Sequence, residues 1–549
     1  MWLGCELSGL HYCETIQHWV DFSRNPVYVV ARLKSIVGYK VNIMHIPDNT
    51  PIIIGAGQKT WHSTDVARTP LDALCAASAA AITDAGSNSL ASAIDTVAMI
   101  RFIADTTPGT GALFPRNPGK QLSQRLGIAG ARIFQGTIGG NTPQYLVNHF
   151  AAKLACGEHK MVLLAGAELL ATLFSALRSG EDISAWSGAP ETEPTTIGQE
   201  REGHNATEMA HGLYEPINTY PLFENSLKHH LGSNQEQHTA YIAELCSRMS
   251  LVAAHNPHAW KQQFQSAEDI STVAQKNRYI GYPYTRAMNP ILEVDMAAAL
   301  IMTTVGNARA LGLDQSAWIY VRGGADVNDI WHVSERPNLH SSPAIKSAWE
   351  SVSAHSDITL DEISNFDIYS CFPSAVQVAC NEIGLSPLDP RAITVTGGLP
   401  FFGGPGNNYS LHAIAQMVNS LRDVQAGHGL VTANGMYLTK HSLGIYSTEP
   451  PIGTWQNIDS QTLQHSIDTS PRLTLASDQS GTVTIETYTV SFDREGAKRG
   501  IVIGHNQAGE RVVANTGAEA DILSRLMAED PIGHSGNVRV KDGISVFEM

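Results

Sequence analysis

The chain has 549 residues, 43% of them hydrophobic and 16% charged, which is enough to bury a large core divided among two to four domains. Its net charge of -16 argues against a general nucleic-acid binder, which needs a basic face to neutralise phosphates. No run reaches the ~18 apolar residues of a membrane span, and no basic stretch followed by an apolar core marks a secretory signal. The cysteines at 5, 13, 75, 156, 246, 371 and 380 form no CxxC pair, so neither a zinc site nor a disulfide framework is indicated. Their odd number suits a reducing cytoplasm, where the chain is placed. His229-His230 lacks the i, i+4 spacing of metal ligands on one helix face, and neither GxxxxGK[ST] nor a strand-linked GxGxxG occurs.

Residues 1–43 mix Trp, Cys and His without periodicity and read as an N-terminal extension. Either Met44 is the natural start or the extension is a genuine surface segment. From Pro51 the pattern becomes orderly, with a buried-strand run Pro51-Ile52-Ile53-Ile54. Two later segments share one plan. Gly139-Gly140-Asn141-Thr142-Pro143 opens a helix with Leu146, Val147, Phe150, Ala151 and Leu154 on its apolar face, followed by the strand Met161–Ala165. Gly404-Pro405-Gly406-Asn407-Asn408 opens a second, with Leu411, Ile414, Ala415, Val418 and Leu421, then the strand Gly429–Thr432. Both faces recur at i, i+3, i+4, i+7, and Asn at an N-cap with Pro just inside is ordinary helix-start chemistry. The echo predicts a duplicated β-α-β half.

Between the halves, from about 172 to 283, the sequence is polar, rich in His, Glu and Gln, and nearly devoid of strand signals. It reads as inserted loops over one face of the core. Glu449-Pro450-Pro451 breaks the chain and marks a linker. Thr482–Val490 then alternates with period two, Ile501–Ile503 and Arg511–Ala514 are further strands around a turn at Gln507-Ala508-Gly509, and a helix at 518–527 precedes a last strand pair. This predicts a small β-barrel of the OB type. It has no aromatic-plus-basic stripe, so it reads as a packing or protein-interaction module.

Residues ~50–448 resemble the thiolase superfamily, sterol-carrier-protein-type branch, and within it the thiolase-like protein type 1 group with an added C-terminal β domain. The motifs are the Gly139–Asn141 helix start, Leu164-Ala165-Gly166-Ala167-Glu168 (similar to AGG-x-E), Glu293–Ala299 (similar to DGAAA), Tyr369-Ser370-Cys371-Phe372 (similar to HDCF), Gly397–Pro405 (similar to GG-x4-GHP) and Thr432-Ala433-Asn434-Gly435. The resemblance implies an α/β chain with a duplicated five-layered α-β-α-β-α fold and an OB-like barrel. The corresponding division is 44–315 for the N-terminal half, 316–448 for the C-terminal half and 455–549 for the barrel.

In that family a cysteine at a helix N-terminus attacks an acyl thioester, a histidine deprotonates it, and a second cysteine moves protons. Here the nucleophile's position is Gly140, the GHP histidine's is Gly404, the second cysteine's is Ala433, and the HDCF histidine's is Tyr369. Cys156, sixteen residues on, lies about four turns away and cannot substitute. The resemblance therefore implies a CoA thioester as ligand, in an acetyl-CoA acetyltransferase-type protein of lipid metabolism that lacks ordinary thiolysis. Non-catalytic thioester binding or scaffolding and a thiolase-like retro-aldol lyase are the alternatives, with a protein partner at the β domain. Remaining pocket candidates are the amides of Gly139–Asn141, Cys371, Asn407, Asn408, Asn434, Tyr437, Lys440 and His441, with Tyr369, Tyr409, Tyr437 or His441 as a relocated acid/base.

Overall fold

The computed structural model describes residues 46–106, 109–188, 192–424 and 427–548, so the extension read at 1–43 lies outside them. The strand that opens at Pro51 runs to Thr60 near the middle of a mixed sheet of ten strands. From one edge the order is Ile363–Asp367, His428–Gly435, Lys440–Ser447, Ile319–Asn328, Pro51–Thr60, Asp295–Thr304, Met161–Leu169, Thr96–Met99, Arg132–Gly136 and Thr195–Ile197.

The order repeats itself. Thr96–Met99 runs parallel to Met161–Leu169, which is antiparallel to Asp295–Thr304, itself antiparallel to Pro51–Thr60. Ile363–Asp367, His428–Gly435, Lys440–Ser447 and Ile319–Asn328 lie side by side with the same senses. The halves join where Ile52 and Ile53 pair with Tyr320 and Ile319. The duplication expected from two Gly–Asn helix starts is thus present in the strand topology.

Helices Thr142–Ala155 and Tyr409–Val424 lie between the half-sheets and touch strands of both. Their apolar faces are sealed: Leu146, Val147, Leu411, Ile414, Val418 and Leu421 have no exposed surface. Each such residue contributes about 1.5–3 kcal/mol by leaving water. Helix Pro70–Asp84, begun by a Thr69–Asp72 capping box, covers one outer face. Helices Pro343–Ser356 and Pro373–Ile383 cover the other, completing five layers.

The asparagines at the central helix starts do other work than expected. Asn141 holds the N-cap position without a side-chain cap bond, and its amide points at Ser442 Oγ, 3.4 Å away. Asn407 Oδ1 accepts from Gly139 N at 2.9 Å, and Asn408 Nδ2 donates to the Gly166 carbonyl at 3.0 Å. These side chains stitch one half to the other.

The segment read as loops is mainly helical, with Leu170–Ser179, Ala206–Ala210, Pro216–His230, Gln235–His255 and Ala267–Ser271. Several of its polar residues are buried and hydrogen-bonded, to one another and to the core beneath. Glu224, with no exposure, accepts from His238, from the Tyr284 hydroxyl at 2.6 Å and from Gln377 Nε2 at 2.7 Å. Mutual satisfaction of polar groups hides a buried face from any hydrophobic periodicity. The strand Thr195–Ile197, also unread in the sequence, pairs in parallel with Arg132–Gly136 and becomes the outermost strand of the sheet.

Strands Gly481–Phe492, Ala497–Asn506, Arg511–Thr516, Ser535–Lys541 and Ile544–Glu548 form a closed barrel in the order first, second, third, fifth, fourth, first. Helix Ala520–Ala528 falls between the third and fourth strands, so the expected small β-barrel with one helix is present. The barrel rests on helix Pro216–His230, where Asn225 Nδ2 donates to the Tyr488 carbonyl at 2.8 Å and Thr487 Oγ1 to that of Leu222 at 2.6 Å. Among the described residues no helix is long and apolar enough to cross a membrane.

Candidate active site

The two echoing loops meet at the centre of the molecule. Besides the Asn407–Gly139 bond, Ser410 Oγ donates to the Gly140 carbonyl at 2.7 Å. The Gly139 amide, one of the anion-stabilising donors expected at this helix start, is therefore occupied by Asn407. The decisive neighbour of Gly140 is Tyr369. A Cβ on Gly140 would fall inside the contact radius of the Tyr369 hydroxyl, 2.7 Å from Tyr369 Cζ and 2.6 Å from the Asn434 carbonyl oxygen. The phenol fills the volume that a nucleophile's side chain would need.

The other motif positions are also lined by packed atoms, Gly404 less tightly than Gly140. Gly404 donates to the Ile291 carbonyl at 2.8 Å and is walled by Pro290, Ile291 and Leu399. Ala433 is 1% exposed. A cavity of ≈ 10 Å³, bounded by Tyr369, Ala433, Asn434, Leu438 and His441 among others, opens here. That is room for about one water.

Burial decides the protonation states. It drives the Tyr369 hydroxyl far above its ordinary value, with the Cys371 thiol adding to the rise. Burial pushes the Cys371 thiol up to about 12, with its hydrogen bonding to Tyr220 and Asn434 opposing the rise. Neither side chain ionises near neutrality. The Tyr437 hydroxyl is pushed up to about 12 by burial and donates to the Tyr214 carbonyl at 2.6 Å. Tyr409 bonds to Asp367 Oδ1 at 3.0 Å inside the core. Burial lowers His441 to about 4 against the pull of Asp329, so its imidazole is neutral, and its Nε2 has no partner.

The turn above this centre is strained. Met436 and Leu438 adopt left-handed backbone, at φ 58° and 51°, a cost of about 1–3 kcal/mol each. Tyr220 holds it, its hydroxyl donating to the Met436 carbonyl at 2.9 Å and accepting from Leu438 N at 3.3 Å and Asn434 Nδ2 at 2.9 Å.

A much larger cavity, ≈ 780 Å³, lies alongside helix Thr142–Ala155. Thr137, Asn141 and Lys440 contribute to it from the loop region, and Asp326, Trp331 and Arg201 from its walls. Segment 457–472, beyond the two thiolase-like halves, supplies another wall. Its helix Ser460–Asp468 is bonded to the strand Ile319–Asn328: Asp326 N donates to Ser460 Oγ at 3.0 Å, and Asn328 N to Gln464 Oε1 at 2.7 Å. Of the sequence candidates, Asn141, Lys440 and His441 border this cavity, whereas Tyr369, Ala433, Asn434 and His441 border the small one.

Asp326 and Asn148 escaped the sequence reading. Asp326 lies opposite Ser442 in the strand register, two residues from Lys440's partner Asn328, and accepts from Asn148 Nδ2 at 3.0 Å. A lone carboxylate on the face of a strand that meets a buried helix was the available signal. Burial raises its pKa to about 7 despite the bonds from Ser442 and Asn148. The folded chain therefore holds a proton there that the unfolded chain has released between pH 4 and 7, and stability falls as pH rises through that window. Asp326→Asn should flatten this slope, by at most about 1.4 kcal/mol per pH unit, and leave the variant the more stable above pH 7. Chemical unfolding at pH 5 and 8 checks it; an unchanged difference between the two pH values refutes it.

Residues 462–543 match the family model for the additional C-terminal domain of thiolase-like protein type 1. The crystal structure of a monomeric SCP2-thiolase-like protein type 1 from Mycobacterium smegmatis is 34% identical, covering 92% of this chain and 100% of its own, with a TM-score of 0.78. The chain belongs to the SCP2-thiolase-like protein type 1 family. Two further structures share the thiolase fold of this family member. An Ltp2–ChsH2(DUF35) aldolase is 19% identical over 74% of this chain and 99% of its own, with a TM-score of 0.55. The dimeric peroxisomal thiolase of Saccharomyces cerevisiae is 13% identical over 75% and 100%, with a TM-score of 0.54. No curated protein matches the sequence.

Proposed function

We propose that this SCP2-thiolase-like protein binds an acyl-CoA or related thioester and does not cleave it by thiolysis. The observation that carries this reading is the Tyr369 phenol standing in the volume beside Gly140 that an attacking side chain would need. Nucleophilic acyl transfer requires both the nucleophile and a base within hydrogen-bond reach. The buried tyrosines and Cys371 around this point are held out of the neutral range, and His441 is neutral with no thiol beside it. Thioester binding is supported by the family's fold and by a cavity in the size range of small-molecule sites. The scattered, odd-numbered cysteines support a cytoplasmic location.

Two measurements test the two halves of the reading. Acetoacetyl-CoA with CoA should show no loss of the enolate absorbance above the buffer rate, and CoA should give saturable heat in a calorimetric titration. Measurable thiolysis would overturn the first half. Absence of heat at millimolar CoA would overturn the second.

A further inference from the structure

Two routes lead from the C-terminal barrel to the strained turn at Met436–Leu438. The first runs through helix Pro216–His230. Thr487 and Tyr488 of the barrel bond to this helix at Leu222 and Asn225. The same stretch of helix carries Tyr220, whose hydroxyl holds the Met436 carbonyl and the Leu438 amide.

The second route runs through two arginines in series. Arg511, on the barrel strand Arg511–Thr516, has no exposed surface and donates from Nη2 to the Arg336 carbonyl at 3.1 Å. Arg336, 3% exposed, donates in turn to the Tyr437 carbonyl at 2.9 Å, to Thr439 Oγ1 at 2.8 Å and to the Ile330 carbonyl at 2.8 Å. Its Nε, Nη1 and Nη2 are all engaged, so a shift of its backbone is passed on to the turn. The main chain reinforces this joint: Leu473 N donates to the Glu335 carbonyl and Arg511 N to the Thr474 carbonyl, both at 2.8 Å.

Arginine at 511 is held against its own cost. Its Nε and Nη1 have no hydrogen-bond partner, and a donor stranded in a dry site lowers stability. An aliphatic side chain would avoid that loss. What the guanidinium supplies is one charged nitrogen that bonds Glu486 of the barrel at 2.9 Å and the Arg336 carbonyl of the core together.

We infer that the C-terminal barrel is an internal clamp, which through Arg511 and Arg336 holds the Met436–Leu438 turn in its strained form and keeps the Tyr369–Asn434 centre closed. Left-handed backbone at two residues other than glycine persists only where the surroundings impose it. Tyr220 and Arg336 bond to this turn's backbone from within the core, and the barrel stands behind both. The inference gives the added domain a role inside its own chain, and it does not rest on thioester binding.

Hydrogen–deuterium exchange of the full chain tests it. Arg511→Met keeps an unbranched buried side chain and loses both bonds; it should speed exchange of the amides at 436–439 at least about tenfold. Val502→Ala, which opens a void inside the barrel, should leave exchange at the turn unchanged. Cys371, whose thiol lies 3.8 Å from Asn434 Nδ2, should be alkylated faster in the Arg511→Met protein alone. Unchanged exchange at 436–439 in Arg511→Met overturns the inference, and so does an acceleration that Val502→Ala reproduces. Should Arg511→Met fail to fold, the unaltered chain still decides. In graded denaturant its turn and strand Arg511–Thr516 should open in one event, and a turn that opens while that strand stays protected overturns the clamp.

Discussion

Replacing Tyr369 with alanine should cost the folded chain about 3–5 kcal/mol, the range for a large aromatic removed from a packed interior. The ring is 7% exposed and meets Tyr409 edge to face, with centroids 5.4 Å apart. Gly140→Ala should cost about 1–3 kcal/mol on its own, because the added methyl has nowhere to go. The informative variant is the double. If the phenol is what excludes a side chain at 140, the two losses will sum to about 0.5–3 kcal/mol more than the double variant shows. Relief will be partial, since the Asn434 carbonyl oxygen would still stand 2.6 Å from the new methyl. Denaturant unfolding of the four proteins measures the coupling, and simple additivity would show that Tyr369 is not the obstacle.

Asp367→Ala should destabilise the chain by at least about 3 kcal/mol, since each donor stranded in the core costs about 1–3 kcal/mol. Asp367 ends the strand Ile363–Asp367 and is fully buried. Its Oδ2 accepts from Thr394 Oγ1 and Thr396 Oγ1 at 2.9 Å, and from Val395 N and Thr396 N at 3.1 Å; its Oδ1 accepts from Tyr409 at 3.0 Å. All but the last belong to the chain leading into the Gly397–Asn408 loop. The same variant should therefore make that loop the first site of limited proteolysis. Asp367→Asn should be milder, because the amide keeps one acceptor while setting N–H against N–H at the other. A fully folded Asp367→Ala protein with unchanged unfolding midpoint would refute the assignment.

Elements whose burial follows from apolar spacing were legible in the sequence. Leu411, Ile414, Val418 and Leu421 announced a buried helix, and period-two alternation from Thr482 announced the barrel's first strand. Buried polar faces were not legible. Glu224, Asn225 and His238 look like surface residues until their partners are known, so an insertion of packed helices read as loops. Capping pairs such as Asn234–Gln237 and Ser266–Asp269 were the available signal for those helices. In the site, the motif order exposed the missing cysteines and histidine. That the phenol of Tyr369 would occupy the vacated place beside Gly140, far away in the chain, is a product of tertiary folding alone. Lys440 was noticed as one of several polar neighbours; that its ammonium reaches back to the Ile138 carbonyl at 2.7 Å could be seen only in the fold.

The three-residue strand Thr195–Ile197 has a consequence for encounters between molecules. By bonding to Phe134, Gln135 and Gly136 it satisfies the outer peptide groups of a strand that would otherwise offer a template to any extended polypeptide, another copy of itself included. The border passes to an edge strand of only three residues, too short to recruit an extended partner readily.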